Sequence, residues 1–218
     1  MPKRWWILTA VLLASAWPTL AGATPIAITN AGFEDPVTSY YTTTGATGWT
    51  LSGSGGGVWN INSSPLGFWT TPAPQGNQVG WLSPAPAPGS SATYAQALGV
   101  PFELNTTYTI TGQVGHPLGF GSTIGTSWMV SWFAGDDFLV SLSSTGPEGT
   151  FAPFSLSFLF TSSPFVGQPL QIQLSSSAAQ TAFDDIALDA ASPVPEPGTL
   201  LLLGSGLVGL AARRRRAS

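Results

Sequence analysis

Residues 154–160 read FSLSFLF, and this stretch decides the fold class. Phenylalanine or leucine occupies every second position, and serine fills two of the positions between them. This period of two is typical of a β-strand that buries one face. The same alternation occurs in TYTITGQV at 107–114 and in LQIQL at 170–174. These stretches therefore predict strands rather than helices.

The rest of the segment from Thr24 to Ser192 shows the same organisation. Clusters rich in Gly, Pro and Ser, such as SPAPAPGSS at 83–91, separate its apolar stretches and break helices and central strands. No stretch in it has the pattern and caps of an amphipathic helix. We therefore predict an all-β domain at 24–190, an antiparallel β-sandwich of the jelly-roll type. Further strand candidates are GVWNIN, NQVGWLS, TYAQAL, SWMVSWFA, DFLVSLS and FDDIALDA.

The N-terminus has the three parts of a secretory signal peptide. Lys3 and Arg4 precede an apolar run at 5–20, and the small residues Ala21 and Ala23 follow it. This order of basic, apolar and small residues is the pattern that signal peptidase recognises. We therefore predict that the first 23 residues are removed and that the mature chain begins outside the cytoplasm.

The charge distribution excludes one class of partner. All six basic residues lie near the two ends of the chain, and none lies between Thr24 and Ser192. Nine of the ten acidic residues lie in that segment. A domain without cations cannot neutralise phosphates, so nucleic acid is excluded as a partner. The chain has no cysteine, so disulfides do not support the fold.

The C-terminal residues divide into three parts. Residues 191–198 read ASPVPEPG and predict an extended, Pro-rich linker. Residues 199–212 are apolar and predict a membrane-spanning helix, although 14 residues are fewer than the about 20 that a full span needs. The basic tail at 213–218 predicts a cytoplasmic end by the positive-inside rule.

This tail resembles the PEP-CTERM sorting signal of diderm bacteria. The motif is Pro195, Glu196 and Pro197, and the basic cluster is Arg213, Arg214, Arg215 and Arg216. The resemblance implies recognition by an exosortase, a membrane-embedded protease, after export with the help of signal peptidase. It also implies an inner-membrane-anchored precursor that is delivered to the cell surface or into exopolysaccharide.

Two acidic segments predict a metal site. Asn30 and Glu34 lie in ITNAGFEDP near the start of the mature domain, and Asp184 and Asp185 lie in FDDIALDA near its end. First and last strands of a jelly roll are commonly neighbours. The pair of motifs resembles the galactose-binding-like sandwiches of carbohydrate-binding modules, and this resemblance implies a structural Ca²⁺ here. We expect Glu34 and either Asp184 or Asp185 to bind it, together with backbone carbonyls near Asn30.

The residue pattern supports calcium separately. Asp184 has the parity of Ile186 and Leu188, so an uninterrupted strand would point its carboxylate inward. A buried carboxylate in a domain without cations needs a metal or backbone donors, and hard oxygen ligands suit Ca²⁺. The alternative is that these carboxylates only form turns and caps.

Aromatic residues are the candidates for glycan binding, because sugar rings stack on exposed aromatic faces. Trp128 and Trp132 lie at strand period in SWMVSWFA, which favours the core. Phe68 and Trp69 lie in a loop-like stretch and are the candidates that face solvent.

The side chains available for catalysis are few. His116 is the single histidine, and it lies in a Gly/Pro-rich stretch that predicts an exposed loop. The acidic pairs are neighbours in sequence, which does not place two carboxylates across a cleft. We therefore expect a non-enzymatic, exported protein of the cell surface or exopolysaccharide, with glycan binding as a candidate role. The alternatives are a purely structural matrix protein and a glycan-active hydrolase.

Overall fold

The structure is a computed structural model, and it describes residues 22–87, 89–119, 128–177, 180–192 and 206. Ala23–Ser192 forms one compact unit. Among the described residues, no helix is long and apolar enough to cross a membrane. The strands are β1 (Thr24–Pro25), β2 (Thr50–Gly53), β3 (Gly56–Asn60), β4 (Gln78–Leu82), β5 (Ala92–Pro101), β6 (Thr107–Gly115), β7 (Trp128–Ala134), β8 (Asp137–Ser144), β9 (Phe151–Leu159), β10 (Pro169–Ser176) and β11 (Thr181–Ala191).

The strands form two antiparallel sheets. The first has the order β3-β4-β11-β6-β9, with β1 added to β11, and the second has the order β2-β5-β10-β7-β8. Every strand pair is antiparallel. The prediction of an antiparallel all-β sandwich is confirmed.

The main core lies between the sheets and follows from the period of two. Along β9, the side chains of Phe154, Leu156 and Phe158 are buried, whereas the serines between them are exposed. Ile172 and Leu174 of β10 face them from the second sheet and are fully buried. Trp128 and Trp132 also belong to this core, as their spacing predicts.

The ends of the domain meet in the first sheet. Thr24 pairs with Ala190, and the N–H of Ile26 donates to the carbonyl of Leu188 at 2.8 Å. The first and last strands are therefore neighbours, as expected for a jelly roll. This arrangement brings the acidic segments near both ends of the domain into one region.

The predicted signal peptide with its cleavage residues Ala21 and Ala23 starts before this unit. Residues 1–21 lie outside the described residues, as do 193–205 and 207–218. The predicted linker from Pro193 onward, most of the sorting helix at 199–212 and the basic tail at 213–218 thus fall outside them, and these remain predictions from the sequence.

Candidate functional site

The outer face of the first sheet is covered by a long connection. Residues 61–77, here called the strap, join β3 to β4. Asn62 braces the strap internally, since its Oδ1 accepts from the N–H of Ala73 at 2.9 Å. Near β9, at the edge of the sheet opposite to β3, the N–H and hydroxyl of Thr70 donate to the carbonyl of Gly149 at 2.7 and 2.8 Å. The strap is thus fastened across the face.

A second apolar cluster lies between the strap and the sheet. Its buried members are Trp59, Ile61, Ala73, Val79 and Ala182. Partly buried aromatic residues pack against it, and these are Tyr40, Phe68, Trp69, Trp81 and Phe151. We call this set the outer cluster. It explains why β3 and β4 are buried on both faces, whereas a strand with one solvated face alternates.

The outer cluster has an open hollow on one side of the strap. This aromatic cleft has a volume of about 330 Å³. The ring centroids of Tyr40 and Tyr41 are 4.9 Å apart, and those of Tyr41 and Trp81 are 6.3 Å apart, both edge to face. The lining residues are Tyr40, Tyr41, Trp59, Leu66, Phe68, Trp81 and Gln180. The cleft is therefore an aromatic, uncharged surface with a few polar groups at its rim.

The other side of the strap has a groove with a carboxylate. Two hollows of about 370 and 440 Å³ meet at Gln113 and Asp185. We call their union the Asp185 groove. Its apolar walls are Pro72, Pro74, Phe151 and Pro153, and its polar walls include Thr71, Thr111, Thr150 and Ser155.

A β-bulge sets the position of Asp185. The register of β11 against β6 shifts between Asp184 and Ala187, so that two residues of β11 oppose Gly112 alone. Asp185 has a φ of 51°, in the left-handed region that residues other than glycine adopt at a cost. Bulges and strained residues concentrate at functional sites, where they direct a side chain. The bulge marks Asp185 as a functional candidate.

The bulge also corrects the predicted direction of Asp184. Asp184 pairs with Gln113, whose side chain lines the groove, and it has the parity of Ala182 in the outer cluster. Asp184 therefore lies on the outer face of the sheet and does not point into the core beside Ile186. The prediction of an inward carboxylate is wrong. It assumed that side chains alternate without interruption from Asp184 to Ile186, whereas the bulge between these residues shifts the alternation by one position.

Asp184 is nevertheless fully buried, because the strap covers it. Its Oδ2 accepts from the N–H of Gln75 and its Oδ1 from the N–H of Asp185, at 2.8 and 2.7 Å. Burial raises the pKa of Asp184 to about 8, although the two N–H donors act in the opposite direction. The carboxylates of Asp185 and Glu34 are close enough to raise this pKa further. No compensating cation lies among the described residues of the domain.

Glu34 binds the backbone where the strap ends and β4 begins. Its Oε1 accepts from the N–H groups of Asn77 and Gln78, each at 2.8 Å. Residues 75–78 are thus held between Glu34 and Asp184. This pair of carboxylates is the part of the predicted metal site that the structure brings together.

The side chains of the other two residues of the predicted metal site point elsewhere. The side-chain amide of Asn30 donates to the carbonyls of Asp35 and Thr47, and its Oδ1 accepts from the N–H of Asp35. Asn30 therefore braces a loop, while Asp185 faces the groove. Among the described residues, no group of three or more His, Cys, Asp or Glu side chains is placed to hold a metal ion.

The two glycan-binding candidates are both half-buried, in different surroundings. Phe68 lines the aromatic cleft. The ring of Trp69 stacks on that of Phe151, with the ring centroids 4.4 Å apart and an interplanar angle of 7°, so one face of Trp69 is already covered. Sequence reasoning missed Trp81, because its strand-like context favoured a packed position, and it did not consider Tyr41.

His116 is buried, in contrast to the exposed loop position predicted for it. Its Nδ1–H donates to the carbonyl of Gln180 at 2.9 Å, and its Nε2 accepts from the N–H of Gly146 at 3.2 Å. These partners fix the neutral tautomer, and burial lowers the pKa of His116. Because Gln180 lines the aromatic cleft, His116 supports the rim of that cleft from behind.

Comparison with known proteins identifies the domain. The family model described as HpiC1-like, HpiC1 cyclase, matches residues 24–189. The chain belongs to the HpiC1-like family. A second model, the PEP-CTERM protein-sorting motif, matches residues 193–216 and confirms the predicted sorting signal. This HpiC1-like protein is therefore an exported bacterial protein that is processed at the membrane. No curated protein matches the chain.

Solved cyclase structures resemble the HpiC1-like domain. The Stig cyclase Fisc from Fischerella sp. TAU, in complex with (3Z)-3-(1-methyl-2-pyrrolidinylidene)-3H-indole, is 28% identical, with a TM-score of 0.68. The match covers 79% of this chain and 100% of that chain. A cyclase from the same source in complex with 4-(1H-indol-3-yl)butan-2-one has the same identity and coverage and a TM-score of 0.69.

Carbohydrate-binding modules also occur among the similar structures. TmCBM61 is 17% identical, with a TM-score of 0.47, and the match covers 74% of this chain and 95% of that chain. A likeness at this level does not bear on ligands.

The expectation of a non-enzymatic protein is wrong. It was based on the scarcity of His, Cys, Lys and Arg, whereas the family and the two similar Fischerella structures are cyclases.

Proposed function

We propose that the HpiC1-like domain is a cyclase that binds a small, planar, aromatic substrate in the Asp185 groove. The observation that carries this proposal is the Asp185 carboxylate, held by a strained bulge between apolar walls. Pockets of this kind, mostly apolar with a few placed polar groups, are typical of small-molecule sites. The indoles in the two Fischerella cyclase complexes make an indole the first substrate class to test.

Asp185 has two roles in this proposal. Its carboxylate accepts the ring N–H of the substrate, and this charge-assisted hydrogen bond orients the ring. It also stabilises the positive charge that develops when a double bond takes up a proton from the solvent and a second double bond attacks the resulting cation to close a ring. Loss of a proton from a neighbouring carbon to the solvent restores a double bond. The overall change is an isomerisation, so substrate and product have the same mass.

Gln113 and the apolar walls assist Asp185. Gln113 lies where the two hollows meet, beside Asp185, and its amide is a second polar contact for the substrate. Phe151 supplies an aromatic edge, and Pro72 and Pro153 keep the walls rigid. Water is displaced from such a surface by a flat ring, which strengthens the hydrogen bond to Asp185.

The test is calorimetric titration of the full chain with 4-(1H-indol-3-yl)butan-2-one. We expect saturable binding that Asp185→Asn weakens at least about tenfold, the loss typical of a residue that dominates a binding site. Asp189→Asn is the matched control, because it removes the same charge from the same strand, outside the groove. Equal affinity of the Asp185→Asn and Asp189→Asn variants would contradict the assignment of Asp185.

Turnover is tested separately. Indole-bearing dienes are incubated with the full chain, the products are separated by chromatography, and their masses are measured by mass spectrometry. An isomer of unchanged mass that forms with the wild type and not with Asp185→Asn supports ring closure. Products of altered mass would indicate a different reaction class.

We also propose a structural Ca²⁺ held by Glu34 and Asp184. The chemistry of the site fits: two carboxylates are near each other, one is fully buried, and no Lys or Arg occurs between Thr24 and Ser192. The ion would supply positive charge and fix the end of the strap and the start of β4, at residues 75–78. Backbone carbonyls would complete its coordination shell. Chelation is expected to lower the melting temperature of the wild type and to leave that of Asp184→Asn unchanged. Equal melting curves of the wild type with and without chelator would refute the site.

The sorting tail supports a proposal on destination. The protein is delivered to the cell surface, where exopolysaccharide is a partner. Cell fractionation of the host tests this: the wild type is expected in the surface fraction, and a variant with Pro195→Ala and Pro197→Ala is expected to stay in the inner membrane. Identical distribution of the two proteins would exclude a role of the motif in delivery.

A further inference from the structure

We infer that the aromatic cleft is a second binding site, separate from the Asp185 groove, for a neutral glycan chain. This inference goes beyond the proposed ring-closing activity and does not depend on it. The strap lies between the two hollows, and none of the residues that line the aromatic cleft lines the Asp185 groove.

The exposure of the cleft favours a chain over a small enclosed molecule. The side chains of Tyr41 and Leu66 are 53% and 54% exposed. Exposed aromatic and large apolar side chains that lie together usually mark an interaction site. The ring of Tyr41 meets Trp81 edge to face, so these two rings present an angled wall.

The polar groups of the cleft favour a sugar over a purely apolar ligand. A pyranose ring has apolar C–H faces, which pack against aromatic rings, and a rim of hydroxyl groups. Tyr40, Tyr41 and Gln180 offer phenol and amide groups that such hydroxyls can pair with. An apolar ligand would leave these groups unpaired, at a cost.

The charge of the surroundings requires a neutral ligand. None of the described residues that line the cleft is acidic or basic, and the segment from Thr24 to Ser192 contains no Lys or Arg. An acidic glycan would find no cation here, and it would be repelled by the nine acidic residues of that segment. A neutral glycan is therefore the occupant that fits.

The rim of the cleft is held in place before a ligand binds. The carbonyl of Gln180 accepts from the buried His116, and the Nε1 of Trp81 donates to the carbonyl of Thr42 at 3.1 Å. The carbonyl of Tyr40 accepts from the N–H of Asn60 at 2.7 Å. A preformed site loses less conformational entropy on binding, which suits a shallow surface of aromatic rings.

The experiment uses the full chain, purified in a detergent without a sugar headgroup, and calorimetric titration with neutral cello-, galacto-, manno- and xylo-oligosaccharides. We expect at least one of them to bind and Tyr41→Ala to weaken that binding about tenfold or more. Tyr41→Phe keeps the ring and is expected to retain most of the affinity. Because Tyr41 is half-exposed, these changes leave the core intact.

Two control variants test whether oligosaccharide binding depends on the aromatic cleft itself. Phe138→Ala removes an aromatic ring of similar exposure, 56%, from the second sheet, and it is expected to leave binding unchanged. Asp185→Asn is also expected to leave it unchanged, even where it abolishes binding of 4-(1H-indol-3-yl)butan-2-one.

Three results would overturn the inference. The first is no heat with any of the oligosaccharides while circular dichroism shows a folded protein. The second is binding that Tyr41→Ala does not weaken. The third is binding that Asp185→Asn abolishes and 4-(1H-indol-3-yl)butan-2-one displaces, because the cleft and the groove would then be one site.

Discussion

The two sheets share the inner core but have different outer faces. On the second sheet, outward positions are solvated and mixed: the hydroxyls of Thr93 and Ser175 lie 3.0 Å apart between neighbouring strands, and the apolar side chains of Met129 and Phe138 are exposed singly. On the first sheet, outward positions hold Trp59, Trp81 and Phe151, and the strap covers them. A sandwich therefore needs only one apolar face per sheet to fold. A second apolar face, covered by a connection, is the place to look for function.

The largest effect is expected from the shared inner core. Trp132 is fully buried and packs against Tyr108 and Phe158. Trp132→Ala is expected to lower the free energy of unfolding by about 4 kcal/mol, because it leaves a large cavity between the sheets. Urea denaturation followed by circular dichroism measures this. Trp132→Phe keeps a ring and removes an indole N–H that has no partner among the described residues, so its cost should be much smaller.

A smaller effect is expected from the outer cluster. Trp59 is 5% exposed, and its ring centroid lies 5.9 Å from that of Phe68 and 6.1 Å from that of Trp69. Trp59→Ala is expected to cost about 2 kcal/mol in urea denaturation, because the strap can move partly into the space, and such relaxation reduces the cost of a cavity. A cost as large as that of Trp132→Ala would show that the strap is as rigid as the main core. A cost near zero would show that the outer cluster does not support the fold.

The same contrast between the sheets explains how much of the fold the sequence predicts. Strands with one solvated face, such as 107–114 and 170–174, are recognised from their alternation, and so is the core between the sheets. The paired ends of the domain follow from the jelly-roll expectation. The strap was not predicted, because a Pro- and Gly-rich stretch looks like an exposed loop until the aromatic residues beneath it are seen.

The candidate site was predicted less well, for specific physical reasons. Asp185 was named as a metal ligand, but the bulge that turns it into the groove depends on pairing with Gly112, which is distant in sequence. His116 was assigned to an exposed loop because of its Gly and Pro neighbours, although it is completely buried. The small number of reactive side chains led to the prediction of a non-enzymatic protein, whereas the proposed ring closure needs only one carboxylate in an apolar groove.

A pH-dependent effect of intermediate size is expected behind the aromatic cleft. Burial lowers the pKa of His116 below its ordinary value of about 6.5, although nearby Glu148 acts to raise it. Below about pH 6.5 the unfolded state therefore binds a proton that the folded state does not, and the free energy of unfolding falls with decreasing pH by up to about 1.4 kcal/mol per pH unit. Above this range the histidine is neutral in both states and has no effect.

Urea denaturation of the wild type and of His116→Asn between about pH 5 and 8 checks this, since asparagine retains a donor for the carbonyl of Gln180 and does not titrate. The wild-type free energy should fall relative to that of the variant as the pH decreases. Parallel curves for the two proteins would show that His116 does not bind protons differently in the folded and unfolded states.

The smallest effect is expected on the solvated face of the second sheet. Thr93→Ala removes a hydroxyl that meets Ser175 at 3.0 Å, and both residues line an open hollow from which water can replace the lost partner. Substitutions at such positions usually change the free energy of unfolding by less than about 0.5 kcal/mol. Oligosaccharide and indole binding should also stay unchanged, because Thr93 lines neither the aromatic cleft nor the Asp185 groove. A loss of either binding activity in Thr93→Ala would mean that the solvated face of the second sheet takes part in function, and the contrast between the two outer faces would no longer locate the site.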